Sequence, residues 1–365
     1  MEIIHLIYDD FRNPWLGGGA ALRAKAITPY LTSHGNLVHF VSGGYPECRQ
    51  KNGENHFFTP PSRNYFLSRL FFSLRAGSIV RKLKKTNKID LLVEDISIFN
   101  IIFPKFFWKG PTVSLVHNYL GRQSFKKLGI FGIIPFLMER HYLKHRKNFI
   151  AVSDALKKHI LKLNPTAHVT VIHNGIDEEA FLHSVQPSAE KIGFIGRIEV
   201  NQKGLDTLVQ ALSILKKENY PFKALFIGGG KDEPALKKMI CSLGLEDSIE
   251  TTGRLGSERF DRLAECRIVC MPSRFEGWGI AAIEAAAEGI PVIASDIEGL
   301  NEAVLDKQTG ILLQATPEKL AAAIKDMMSH PERIELLSQN AKKHAANFRW
   351  EKIAAEQQSL YASLI

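Results

Sequence analysis

The chain has 365 residues, 45% of them apolar and 23% charged, the composition of a folded protein long enough for two domains with sizeable cores. That composition argues against a disordered chain, a collagen-like repeat and a disulfide scaffold, and the scattered Cys48, Cys241, Cys266 and Cys270 make no pair of clusters of the kind that holds zinc. The net charge of +9 is unevenly shared: residues 1–178 hold 25 Lys and Arg against 12 Asp and Glu, and residues 179–365 hold 22 against 26.

The chain opens MEIIHLIYDD, which reaches acidic residues after a few apolar ones, with no basic start and no cleavage site, so a cytoplasmic location is expected. Its longest apolar run, Ile130 to Met138, is far short of the roughly 20 residues that span a bilayer. Short apolar runs at Ile3 to Tyr8, Leu37 to Ser42, Leu91 to Val93, Thr112 to His117 and Asn148 to Val152 read as strands separated by helical stretches. This is the alternation of a parallel α/β sheet. It restarts at Lys191 to Ile195 and continues through Ala224 to Ile227, Ile249 to Thr251, Ile268 to Met271 and Pro291 to Ala294.

Between the two series, the Asn174-Gly175 turn signal and the polar stretch Glu178 to Lys191 put a boundary near residue 180. Two doubly wound domains are expected, 1–178 and 179–345, with the carboxyl ends of their strands facing a central cleft.

Three places carry chemistry. Gly17-Gly18-Gly19 follows the first strand and precedes a helical stretch, Ala20 to Leu31, so its amides can approach an anion; a plain turn is the alternative, and the pattern is not a dinucleotide fingerprint. Arg197 and Lys203 follow the first strand of the second series, flanked by Gly196 and Gly204, and suit a diphosphate or a merely solvated basic loop. The most specific is Pro272-Ser273-Arg274-Phe275-Glu276-Gly277-Trp278-Gly279-Ile280-Ala281-Ala282-Ile283-Glu284. Here two carboxylates on the order of 10 Å apart frame a helix N-terminus, an arrangement suited to a sugar nucleotide. Taken singly, Glu276 reads as a cap and Glu284 as a solvated helix residue.

At these residues the chain resembles family 4 of the retaining glycosyltransferases, which have the GT-B architecture of two Rossmann-like domains. The E-x7-E pattern matches Glu276 and Glu284, and the cationic pair matches Arg197 and Lys203; Ala151-Val152-Ser153-Asp154, Asn174-Gly175-Ile176-Asp177, Thr252-Gly253-Arg254-Leu255 and Thr309-Gly310 also match. The resemblance implies that Arg197 and Lys203 bind the donor diphosphate, Glu284 receives the ribose hydroxyls and Glu276 orients the transferring sugar. The amides of Gly277, Trp278, Gly279 and Ile280 complete the phosphate site, Arg254 and Leu255 line the nucleobase, and Gly18 and Gly19 close over the phosphates from the first domain. His117 matches a histidine near the donor sugar, although a structural role is an equal reading of its position alone. Position 118, often Asp in the family, is Asn118 here, so it supplies no carboxylate partner. Glu298-Gly299-Leu300-Asn301-Glu302 departs from the paired glycines of the family, and no contact is carried over to it. The segment Phe348-Arg349-Trp350-Glu351 and the helix after it match a returning segment, which adds about 346–365 to the first domain.

The implied reaction is retaining transfer from a nucleoside-diphosphate sugar, UDP- or GDP-linked, to a glycan or lipid-linked acceptor in cell-surface polysaccharide or glycoconjugate synthesis. The acceptor hydroxyl attacks the anomeric carbon while the diphosphate leaves and takes the proton, and the scheme requires no metal or other cofactor. A GT-B-like sugar-nucleotide epimerase and a non-catalytic partner subunit are the competing readings.

Excess positive charge concentrates in Arg63 to Lys88 and Gly121 to Lys147, where basic and apolar residues interleave. Both stretches read as basic amphipathic surfaces able to rest on anionic lipid, as a peripheral protein of the cytoplasmic membrane face would, with packing on the sheet as the alternative. Nucleic acid is not an expected partner, since no recognised module for it occurs.

Overall fold

The structure, a computed structural model, describes residues 1–10, 19–48, 55–96, 106–119, 121, 124–125, 129–186 and 190–365. It divides into two compact units, Met1–Asn174 with Trp350–Ile365, and Gly175–Arg349. The unit limits thus fall at 174/175 and 349/350, a few residues from the boundaries expected at 178 and about 346.

The first unit contains β1 (Glu2–Leu6), α1 (Gly19–Ser33), β2 (Leu37–Ser42), β3 (His56–Phe58), α2 (Tyr65–Thr86), β4 (Leu91–Asp95), β5 (Thr112–Val116), a helix Ile133–His145, β6 (Asn148–Ala151), a helix Asp154–Leu163 and β7 (His168–Val171). All its strands pair in parallel, in the order β3-β2-β1-β4-β5-β6-β7. Strand residues alternate between two cores, as a period of two dictates. Ile3, Val38, Leu91, Val93 and Val113 meet α1 and the C-terminal helix Trp350–Ser363, whereas Ile4, Leu6, Val41 and Leu92 meet Phe72, Ala76, Val80 and Leu83 of α2. Covered on both faces, these strands show the continuous apolar runs that made them readable.

The C-terminal helix is anchored to this unit by Arg23 of α1, whose side chain is 2% exposed. Its guanidinium donates to Gln357 Oε1, to the carbonyls of Ile172 and His173, and to Asn174 Oδ1. Burial draws the Arg23 pKa down to about 10, and the nearby Tyr361, Asp95 and Glu356 partly offset it.

The second unit contains β8 (Lys191–Ile195), β9 (Ala224–Ile227), β10 (Ile249–Thr251), β11 (Cys266–Met271), β12 (Val292–Ser295) and β13 (Gly310–Leu313) in the parallel order β10-β9-β8-β11-β12-β13. One core is built from the helix Leu205–Lys217, whose Leu205, Leu208, Leu212 and Leu215 pack with Phe194, Phe226 and Ile268 of the sheet. The β3, β7 and β13 strands were not among those expected from sequence. All three are edge strands of three or four residues, and β7 alternates exposed and half-buried positions, so none carries a buried run.

Candidate functional site

In the second unit the chemistry gathers where β8 and β11 end. After β8 the chain makes a single helical turn, Val200–Lys203, and reverses at Gly204 with φ +64° into the helix Leu205–Lys217. A Cβ at Gly204 would lie 1.9 Å from the Pro272 carbonyl oxygen, so only glycine lets this turn press against the loop after β11. That approach is tied by Arg274, whose amide donates to Gln202 O (2.9 Å) and whose guanidinium grips Asp206 at 2.8 and 2.7 Å.

The consequence is a direct ion pair: Lys203 Nζ donates to Glu276 Oε1 at 2.6 Å, with both side chains about nine-tenths buried. Ser273 Oγ donates to the same oxygen at 3.0 Å. Arg197, by contrast, points into solvent, its side chain 61% exposed and 3.4 Å from Glu199.

The loop after Glu276 runs into the helix Ile280–Glu288, whose N-cap is Gly279 with no side chain capping the first turn. Gly277 and Ile280 are half-buried. Trp278 is buried, its ring edge-on to Phe348 with centroids 4.9 Å apart, so this residue has only its backbone to offer a ligand. One turn into the helix, Glu284 Oε1 accepts from Arg259 at 2.9 Å, and the same guanidinium nitrogen donates to Asp177 Oδ2 at 2.9 Å. Burial pushes the Glu284 carboxyl above its ordinary range, while Arg259 pulls it back. The Asn174-Gly175-Ile176-Asp177 motif thereby acquires a task, since Asp177 holds the arginine that holds Glu284. One further turn along, Glu288 is fully buried and neither carboxylate oxygen has a partner among the described residues. Burial, with Glu284 and Asp261 adding to it, drives the Glu288 pKa up to about 9.

The loops after β8, β9 and β10 pack through glycine. A Cβ at Gly228 would stand 2.0 Å from Gly196 O, and Gly228 bridges to Gly253. Arg254 beside them is exposed and Leu255 half-buried. Gly228-Gly229-Gly230, a run of three after a strand, was readable in sequence by the same signal as Gly17-Gly18-Gly19 and was missed. Of the latter, Gly17 and Gly18 lie outside the described residues, and Gly19 is the first residue of α1.

In the first unit the corresponding strand ends hold a cluster that sequence did not reveal. Asp95 ends β4, one strand away from His117, which follows β5 directly, and His5 lies on the neighbouring β1. His117 Nε2 is 2.6 Å from Asp95 Oδ1, and His5 Nε2 bonds Asp95 Oδ2. Burial alone would raise the Asp95 carboxyl, but His5 and His117 outweigh it and hold it well below the ordinary carboxylate range. Asn118 therefore does not leave His117 without a carboxylate: Asp95 supplies one. Residues 22 apart in sequence carry no local signal of this contact. Beneath it, Glu94 accepts from Ser114 Oγ at 2.7 Å and pairs with Arg146.

The two basic stretches need correction as well. Arg69 is buried, its guanidinium 4.2 Å above the Tyr8 ring and bonded to Tyr65 Oη at 2.7 Å, and Arg146 serves Glu94, so neither belongs to a lipid-facing surface. In the second stretch, Arg122, Lys126 and Lys127 lie outside the described residues. What does stand exposed on α2 is an apolar stripe, Phe66, Leu70 and Leu74 at i, i+4 and i+8, with Leu67 beside it. Ile130, Ile133, Ile134 and Leu137 expose another. The crossovers from β3 to β4 and from β5 to β6 run the same way along the sheet, and their right-handedness puts α2 and the helix Ile133–His145 on one face.

Two parallel-sheet α/β units, with polar residues collected at the carboxyl ends of the strands, are the components of the GT-B fold. Family models agree with this. Residues 17–180 match "Glycosyltransferase Family 4" and residues 175–344 match "Glycosyl transferases group 1". The chain belongs to this family, and its activity is that of a glycosyltransferase. It is 26% identical to a glycosyltransferase of Methanocaldococcus jannaschii over 95% of each chain. Among solved structures it resembles sucrose-phosphate synthase from Thermosynechococcus elongatus (TM-score 0.84, 20% identity, 100% of this chain and 98% of that one). It also resembles Anabaena HepE in complex with UDP-glucose (TM-score 0.77, 19% identity, 100% of both chains).

Proposed function

We propose that the protein is a retaining, metal-independent glycosyltransferase that takes a sugar from a UDP- or GDP-linked donor and passes it to a glycan or lipid-linked acceptor in cell-surface polysaccharide or glycoconjugate synthesis. The observation that carries the donor reading is the Lys203–Glu276 pair beside the uncapped helix N-terminus at Gly279. A cation and free amides suit a departing diphosphate. Both bonds to Glu276 fall on Oε1, which leaves Oε2 to accept from a sugar hydroxyl. Arg197, exposed beside this turn, adds a second phosphate contact. Glu284, restrained at Oε1 by Arg259, offers its other oxygen to the ribose, and Arg254 and Leu255 border the base. His117 contributes to sugar binding. Stabilisation of the leaving diphosphate by these cations and amides supplies the main catalytic effect, and a diphosphate oxygen takes the acceptor proton.

The acceptor reading rests on the two exposed apolar stripes and the basic residues around them, Arg63, Arg75, Arg81, Lys82, Lys84 and Lys85, which suit the surface of an anionic membrane. Among the described residues no helix is long and apolar enough to cross one. The donor is tested by thermal shift with UDP, GDP, UDP-glucose and GDP-mannose. One base is expected to raise Tm in both its free and sugar-linked forms, with the rise reduced in R197A. No shift with any of the four overturns the donor reading.

A further inference from the structure

The Asp95 carboxylate sits between two histidines, and its ionised state has a consequence for which nitrogen of His117 carries a proton. An ionised carboxylate only accepts hydrogen bonds. With His117 Nε2 2.6 Å from Asp95 Oδ1, that nitrogen must be the donor. In the neutral ring the proton is then on Nε2, and Nδ1 carries a bare lone pair. This Nδ1 is buried and has no hydrogen-bond partner among the described residues. A buried acceptor without a partner is destabilising, and a ligand hydroxyl that donates to it removes that cost.

From this geometry we infer that Asp95 is a positioning residue, which fixes His117 as the Nε2–H tautomer so that Nδ1 accepts a hydrogen bond from a hydroxyl of the sugar substrate. The inference rests on the reading that His117 contributes to sugar binding. His5 has a supporting place in it. By bonding the other oxygen, Oδ2, it prevents the Asp95 carboxylate from rotating away and keeps it ionised despite burial of all but 6% of its surface. The chemical requirement on the substrate is equally definite: a hydroxyl at the contacted carbon, able to donate, with a deoxy or O-methyl sugar unable to replace it.

The direct test is the imidazole nitrogen NMR spectrum of the whole protein labelled with 15N-histidine, the His117 signals being assigned by their loss in H117Q. At a pH where the ring is neutral, His117 is expected to show a protonated Nε2 and a bare Nδ1. A protonated Nδ1 in the wild type overturns the proposal without any variant of Asp95 having to fold. In D95N the amide can donate to Nε2 and drive the proton to Nδ1, so the tautomer is expected to invert. With UDP-glucose as the probe and release of UDP followed, D95N is then expected to lose about tenfold or more in kcat, as a lost buried hydrogen bond would, with KM changed by less. Wild-type kcat in D95N with an inverted tautomer overturns the role of Asp95 alone, provided that H117A is impaired. An unimpaired H117A overturns the placement of His117 at the sugar, and the role of Asp95 with it.

Discussion

Lys203 and Glu276, 73 residues apart in the chain, satisfy one another at 2.6 Å. The residue expected to hold the diphosphate is thus bonded to the residue expected to hold the sugar. On that expectation a donor that engages both residues shares or displaces this bond, and phosphate binding is coupled to sugar binding. E276Q removes the competing negative charge and is expected to tighten free UDP or GDP severalfold while lowering transfer on the order of a hundredfold. K203A is expected to weaken the nucleotide and lower transfer together. Titration calorimetry with the nucleotide and a transfer assay check this; unchanged nucleotide affinity in both variants refutes the coupling.

Glu288 makes stability depend on pH. Its pKa rises from 4.5 to about 9 on folding, so between these values the folded protein holds a proton that the unfolded chain has released. Stability therefore falls with rising pH across this window, by roughly 1.4 kcal/mol per pH unit from this group if nothing relaxes. E288Q removes the term. Its Tm is expected to decline less between about pH 6 and about pH 9, within this window, and to exceed that of the wild type at the alkaline end. Parallel Tm profiles for the two proteins would show that Glu288 is not protonated in the fold.

Two glycines with positive φ separate crowding from backbone strain. Gly204 (φ +64°) has Pro272 O in the way of a Cβ, whereas Gly253 (φ +72°) has open space around it. G253A should cost only the left-handed backbone penalty, about 1–2 kcal/mol. G204A must also move the loop carrying Ser273 and Glu276, and a loss of more than about 3 kcal/mol is expected. Urea denaturation decides, and equal losses at the two sites would mean that the Gly204–Pro272 approach is not tight.

Arg23 is the anchor of the C-terminal helix. R23M removes the buried donor that serves Gln357, Ile172, His173 and Asn174 inside the first unit, for an expected loss of about 3–5 kcal/mol. Limited proteolysis should then cut near Trp350 before it cuts elsewhere. Wild-type resistance would assign the helix's attachment to the apolar contacts of Trp350 and Ile353 instead.

The exposed stripe of α2 is tested on vesicles. The wild type is expected to sediment with phosphatidylglycerol vesicles at low salt and not with phosphatidylcholine, and L70S/L74S is expected to bind more weakly by roughly tenfold, given the apolar area removed. Absence of wild-type binding to the anionic vesicles removes the membrane from the acceptor reading.

The sequence by itself determined the α/β class, the central strands of both sheets and the identity of the residues after β8 and β11. The strands are legible because a strand buried on both faces must be apolar throughout, and the two loops because their glycines and charged residues stand close together in the chain. The charge asymmetry was equally visible, and it sharpens with the observed units, which hold 26 basic against 12 acidic residues and 21 against 26. Only the tertiary structure decided which charges face which. Asp95 with His5 and His117, Arg259 with Asp177 and Glu284, and Lys203 with Glu276 each join side chains from separate strands or loops, and parallel connections place such partners tens of residues apart. The same holds for the basic stretches: composition counts Arg69 and Arg146 as surface charge, and packing turns both inward to a tyrosine pair and a buried carboxylate.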